Sequence, residues 1–188
     1  TLCVSMNDEV VHGLPSAKRI LKSGDIISID FGMRYPARIG LITDMAVTIG
    51  VGKISSKAER LLAVTREALE VGAGKIKAGV KTGDLGRAIQ GRIEKGGFGV
   101  IRELMGHGVG RRLHEDPNLP NYGLPGEGKV LKENMVLALE PMAAAGAPEV
   151  VLGEDGWTWR TRDGKLAAHF ENTVLVTKEG AEILTQSR

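Results

Sequence analysis

Four carboxylates stand inside short apolar runs of this chain, in segments that read as buried strands. Asp30 lies in Ile26-Ile27-Ser28-Ile29-Asp30-Phe31 and Asp44 in Leu41-Ile42-Thr43-Asp44-Met45-Ala46-Val47. Glu140 ends Met135-Val136-Leu137-Ala138-Leu139-Glu140, and Glu171 stands in His169-Phe170-Glu171-Asn172-Thr173-Val174-Leu175-Val176. One buried acid can be a salt-bridge partner, but four in separate strands are expensive unless something pairs them. Their flanks are aliphatic and offer few cations. A shared metal site, or two adjacent metals, resolves that charge problem and points to hydrolytic chemistry.

The 188 residues suffice for one domain with a sizeable core. Net charge is +2 with the basic residues dispersed, and no Lys/Arg block interleaved with aromatics occurs, so direct nucleic-acid binding is not expected. No apolar stretch approaches the roughly 18 residues of a membrane span, so no membrane partner is expected either. The single cysteine, Cys3, rules out an intrachain disulfide and suits a reducing compartment, which makes the cytoplasm the expected location. The sequence opens on Thr1, not Met, and the expectation is that the natural product begins earlier.

Residues 1–50 read as β throughout: a strand over Leu2–Met6, then a hairpin from Asp25–Tyr35 to Ile39–Ile49 turning near Pro36. A helix follows, with Ser56 and Glu59 as a capping box, Leu61, Leu62, Thr65 and Leu69 on one face, and Gly72 and Gly74 weakening its end. Leu85, Ile89 and Ile93 mark a second helix from Thr82 to the stop at Gly96-Gly97. Beyond Val100 the pattern is strand and loop, with a long loop over 115–134. The segment Gly123-Leu124-Pro125-Gly126-Glu127-Gly128-Lys129-Val130 nearly matches a phosphate-binding loop. Val130 stands where the magnesium-touching Ser or Thr belongs, and neither flank has the strand or helix the motif needs, so nucleotide hydrolysis is excluded.

The chain has four histidines: His12, His107, His114 and His169. His107 sits in Gly106-His107-Gly108-Val109-Gly110, where flanking glycines let the backbone pack closely and free the imidazole to enter a cavity. Carboxylate oxygens with one imidazole suit a borderline or hard divalent ion such as Mn, Co, Fe or Zn. His169 reads as a hydrogen-bonded strand histidine with a structural role.

Asn7-Asp8-Glu9-Val10-Val11-His12-Gly13, Ile29-Asp30, Thr43-Asp44, Gly106-His107-Gly108-Val109-Gly110, Leu139-Glu140-Pro141 and Phe170-Glu171-Asn172-Thr173 together resemble the signature of methionine aminopeptidases, in order over essentially the whole chain. The wider group is the pita-bread fold metallopeptidases. The resemblance implies an α+β fold of antiparallel sheets with covering helices around a central dinuclear metal cleft, in one catalytic domain over 1–188 that lacks an N-terminal helical segment. The 33 positions from His107 to Glu140 leave no room for the helical insert of type II, so type I fits better. Asp155-Gly156-Trp157-Thr158-Trp159-Arg160-Thr161 resembles that branch's tryptophan segment. An Xaa-Pro-type aminopeptidase and a pita-bread binding module without catalysis are the competing readings.

What the resemblance implies for single residues follows. Asp30, Asp44, His107, Glu140 and Glu171 would hold two divalent ions (Co, Mn, Fe or Zn), with Asp44 and Glu171 bridging. Glu140 would also act as general base, His114 would stabilise the oxyanion, and His12 would contact the scissile amide. Cys3, His12, Leu113 and Trp157 would line the pocket for methionine. Substrates would be peptides and nascent polypeptides with N-terminal Met, with the ribosome as a candidate partner. Two departures stand out. Asp30 and Asp44 are 14 positions apart, which implies a longer hairpin and puts the register near the metals in question. Leu113 stands where the family often has an aromatic. The first sheet is apolar enough to need cover on both faces, which predicts an upstream segment or a second chain over its outer face.

Overall fold

The longest ladder in the chain is the hairpin that carries the first two carboxylates. The computed structural model describes residues 2–186; Thr1, Ser187 and Arg188 lie outside them. Strands β1 (Leu2–Met6), β2 (Glu9–Val11), β3 (Ile26–Tyr35) and β4 (Leu41–Gly50) come first. β1, β3 and β4 form an antiparallel sheet whose β3–β4 register runs unbroken from Ile26 opposite Gly50 to Tyr35 opposite Leu41. The longer hairpin therefore extends the ladder and leaves the register intact. Asp30 faces Ala46 and Gly32 faces Asp44, so the two-residue phase puts both aspartates on one face. The expectation of β structure throughout residues 1–50 fails over 12–25, a loop without a ladder; Pro15 brings no N–H to pair there.

Helices α1 (Ser56–Lys75) and α2 (Thr82–Lys95) follow. The cap of α1 is Ser55, one residue earlier than the sequence suggests: its hydroxyl accepts the Ala58 amide at 3.2 Å. Glu59 falls in the first turn, where its charge suits the helix dipole, but it is not the reciprocal partner of a box. The helix also continues through Gly72 and Gly74. A Cβ at Gly72 would lie 3.0 Å from the Ile89 side chain, so this glycine serves close packing of α1 on α2. Leu61, Leu69, Leu85, Ile89 and Ile93 form one buried core with Leu137, Leu139, Val174 and Val176.

The remaining strands are β5 (Gly99–Val100), β6 (Gly106–Gly108), β7 (Glu115–Leu119), β8 (Val136–Leu139), β9 (Met142–Ala144), β10 (Val150–Leu152), β11 (Trp159–Thr161), β12 (Ala167–His169), β13 (Asn172–Val176) and β14 (Ala181–Ile183). They build a five-stranded sheet ordered β14-β13-β8-β6-β7 and two small sheets, β10-β11-β2 and β12-β9-β5. The loop expected over 115–134 opens instead with β7, which tolerates Pro117 because it is an edge strand. Two of the carboxylates are displaced from their expected strands: Glu140 follows β8, and Glu171 lies between β12 and β13. An isolated bridge between Glu171 and Ala46 joins the first sheet to the second half there. Thr173 Oγ1 accepts the Asp44 amide at 2.8 Å and donates to the Asp44 carbonyl at 2.7 Å, fixing the backbone at that ligand position.

The opposite face of the first sheet carries Leu2, Phe31, Met33, Tyr35, Leu41 and Ile49, which ladder phase places together. All six are exposed, Tyr35 at 78%. Among the described residues no helix is long and apolar enough to cross a membrane.

Candidate metal centre

Glu9 shows how this chain stabilises a buried acid that has a structural job. It is 3% exposed, accepts the Arg19 and Arg160 guanidiniums at 2.5 Å each, and takes the Met6 amide at 2.7 Å. Arg160 also bridges to Asp8. Nothing similar surrounds Asp30, Asp44, Glu140 and Glu171. Among the described residues no lysine or arginine forms an ion pair with any of the four.

Their neighbours are imidazoles and one another. His107 Nε2 is 3.4 Å from Glu140 Oε1, and His169 Nε2 is 3.5 Å from Glu140 Oε2 and 3.8 Å from Glu171 Oε2. Asp44, His107 and Glu171 each offer a ligand atom within 4.8 Å of the others. Asp44 Oδ1, Glu171 Oε1 and both ring nitrogens of His169 are buried without a hydrogen-bond partner.

Burial is the first cause that raises every carboxyl here, and mutual repulsion is the next of those that raise it. Asp44 is pushed up to about 6 by burial and then by Glu140. Glu140 is held well above the usual range by burial and Asp30, and Glu171 by burial, Glu140, Asp44 and Asp30. Asp30 is raised by burial, with Asp44 adding to it. Burial lowers His107 and keeps it in the neutral form that ligates. Such a cluster cannot carry four negative charges alone. Orphaned oxygens, converging ligand atoms and an oxygen-plus-imidazole donor set all fit divalent cations.

The glycine-flanked His107 is positioned as its motif suggests. A Cβ at Gly106 would lie 2.4 Å from the Ala138 carbonyl oxygen, and one at Gly108 would lie 2.2 Å from that of Asp116. Only glycine lets β6 sit that close to both neighbours. His107 Nδ1 lies 2.9 Å from the Gly108 carbonyl, which favours a proton on Nδ1 and leaves Nε2 for the cluster. Asn121 donates to the Glu140 carbonyl at 3.0 Å and steadies the turn out of β8.

Two cavities meet at this cluster. One of about 240 Å³ contains all the expected ligands, with His12 and His114. The other, about 520 Å³, shares Asp30, Asp44, His12 and His114 with it and is walled by Cys3, Met33, Leu113 and Trp157. An apolar chamber therefore opens onto the carboxylates. The His114 ring stands edge-on to His107 at 4.3 Å, and His12 lies 5.7 Å from the Trp157 ring. Burial and the nearby Asp30 and Asp44 push the Cys3 thiol up, so it presents a neutral, soft surface to the chamber.

The sequence-predicted residues thus converge. His169 is the exception to its sequence reading: its ring nitrogens have no partner, and it stands within the cluster. The signal was present, because His169 and Glu171 are two residues apart in an extended segment and so share a face. Met33 was also overlooked; it reaches the chamber from the extended hairpin.

Comparison with known proteins agrees with this chemistry. The model of metallopeptidase family M24 matches residues 1–178. The methionine aminopeptidase of Aquifex aeolicus is 48% identical over 187 residues, covering 98% of this chain and 71% of that protein. Methionine aminopeptidase 1 of Bacillus subtilis is 48% identical over 186 residues, covering 99% of this chain and 73% of that protein. The crystal structure of methionine aminopeptidase from Thermotoga maritima superposes with a TM-score of 0.95 at 52% identity, over 99% of this chain and 74% of that one. Xaa-Pro dipeptidase from Bacillus anthracis is more distant: TM-score 0.76 at 26% identity, over 100% of this chain and 46% of that one.

Proposed function

The chain belongs to metallopeptidase family M24, and from that premise we propose that it is a metal-dependent aminopeptidase of the methionine type, hydrolysing the first peptide bond of polypeptides that begin with methionine. The antiparallel sheets, the two helices and the central cleft make up the pita-bread fold. The observation that carries the reading is the unpaired carboxylate cluster at the floor of an apolar chamber. The greater likeness to methionine aminopeptidases than to the dipeptidase favours this reading over an Xaa-Pro enzyme. A binding module without catalysis would have no use for five converging ligand residues together with His12 and His114.

Asp30, Asp44, His107, Glu140 and Glu171 hold two divalent ions in this reading, with Co, Mn, Fe and Zn as candidates. Bound there, such ions supply Lewis-acid polarisation of the peptide carbonyl and water activated at neutral pH. The chain's own groups do the rest. The chamber walled by Cys3, Met33, Leu113 and Trp157 takes the thioether side chain, which a soft apolar wall suits. His12, on the boundary of both cavities, contacts the scissile amide. His114 donates to the oxygen on which negative charge develops. Glu140 takes the proton of the attacking water and returns it to the leaving amine.

Residues 1–188 act as one catalytic domain in this reading, and the apolar outer face of the first sheet is covered by further polypeptide, either an upstream segment or a second chain. The exposed Phe31, Tyr35 and Leu41 support such a cover, as does the greater length of the relatives. A cytoplasmic setting and encounter with nascent chains at the ribosome follow from the substrate class. The experiment is Met release from Met-Ala-Ser, compared with cleavage of Ala-Pro-type peptides. Release that stops with a chelator and returns with divalent metal is the expected result. Preference for Ala-Pro, or no release under any divalent ion, overturns the proposal.

A further inference from the structure

We propose that His169 is a sixth protein ligand of the metal centre, giving it two imidazoles in place of one. The inference rests on the reading of the carboxylate cluster as a metal site. His169 closes β12 two residues before Glu171, and its backbone is clamped by one hydroxyl: Thr48 Oγ1 donates to the His169 carbonyl at 2.7 Å and accepts its amide at 2.9 Å. The backbone that carries the ring is therefore fixed in place. It is 2% exposed, and neither nitrogen has a hydrogen-bond partner. Leaving a buried polar atom unpaired costs about 1–3 kcal/mol, so an imidazole held this firmly needs a partner.

The geometry around Glu140 says which partner. His107 Nε2 stands 3.4 Å from Glu140 Oε1, and His169 Nε2 stands 3.5 Å from Glu140 Oε2. The two imidazoles flank one carboxylate almost symmetrically. His169 Nε2 also lies 3.8 Å from Glu171 Oε2. These separations are long for hydrogen bonds. Each separation is in the range of two donors that share an ion, since donors each about 2.0–2.2 Å from a common metal lie roughly 3–4 Å apart. A second nitrogen donor also shifts the site's preference toward Co and Zn and away from Mn.

The test uses the full chain loaded with Co(II), read by proton NMR for hyperfine-shifted imidazole signals, with bound metal counted by mass spectrometry. Two imidazole sets are expected in the parent. H169Q should lose one set, weaken Co and Zn binding by more than the roughly 10–100-fold that loss of an outer-shell partner costs, and weaken Mn binding less. H169N serves as a second variant if H169Q folds poorly, and the parent spectrum is decisive without either. A parent that binds metal but shows only one imidazole set, removed by H107A, overturns this inference and leaves the aminopeptidase reading standing. A parent that binds no divalent ion overturns both.

Discussion

At the scale of single residues, the decisive contrast is between Glu9, buried against two guanidiniums, and Asp44, buried against other acids. That contrast has a pH signature. In the metal-free protein the folded state binds the Asp44 proton more tightly than the unfolded chain does, since its pKa rises from 3.8 to about 6. The contribution to stability is therefore complete below pH 3.8 and is lost as pH rises through about 6. A shift of about two units is worth on the order of 3 kcal/mol at neutral pH. D44N, melted in urea with chelator present, should match the parent near pH 3.8 and exceed it by about that amount at pH 7.5; equal curves at pH 7.5 would refute this origin of the shift. Added metal should reverse the order, because the variant has lost a ligand. The catalytic roles separate by a second pair of measurements. E140Q should lower kcat by about 10²–10⁴-fold. H114A should lower kcat by about 10²–10³-fold with metal content unchanged, whereas H107A should deplete metal. The same metal loss in both histidine variants would mean that their roles are merged. These residues were legible in the sequence because an acid within an aliphatic run is conspicuous. Glu9 was not, since its partners Arg19 and Arg160 lie 10 and 151 positions away.

At the scale of elements, the hairpin of β3 and β4 and both helices could be read closely from alternation and helical period, because each repeats its pattern often enough to be self-evident. The strands β5, β6 and β9 to β12 are only two or three residues long, and their ladders are set by neighbours rather than by any pattern of their own. No period can mark such elements. Loop 12–25 was misread for a related reason: its residues are held by contacts with β1 and Glu9, such as the Val4 amide donating to the Gly13 carbonyl at 2.8 Å. The same contacts place the chamber wall. Glu9 ties β2 to β11 through Arg160, and these two strands carry or adjoin His12 and Trp157. E9A should destabilise the fold by about 1–3 kcal/mol, less than a fully buried pair would cost because both arginines are partly exposed. It should also raise KM for Met-Ala-Ser more than it lowers kcat, with metal content unchanged. A variant with parental melting and KM would show that the pair does not seat the chamber.

At the scale of the whole molecule, the first sheet has one face turned to the carboxylate cluster and an opposite face that carries none of the expected ligands. The first holds Asp30 and Asp44; the second holds Leu2, Phe31, Met33, Tyr35, Leu41 and Ile49, which are 41–78% exposed. Exposed apolar side chains aligned on one sheet face mark a surface suited to meeting further polypeptide, and Tyr35 extends this row along the lengthened hairpin. The ladder continues unbroken to Tyr35 opposite Leu41, so the face is rigid as well as apolar. For the 188-residue chain by itself the available cover is a second copy. Sedimentation velocity over a range of concentrations should show reversible self-association, and the double variant F31S/Y35K should shift the chain toward monomer. Because neither residue is a metal ligand, bound metal should stay at the parental level in that variant. A parent that remains monomeric at every concentration and binds no hydrophobic dye would show that the face needs no cover, and the exposed rows of β3 and β4 would then have to be explained by the hairpin alone.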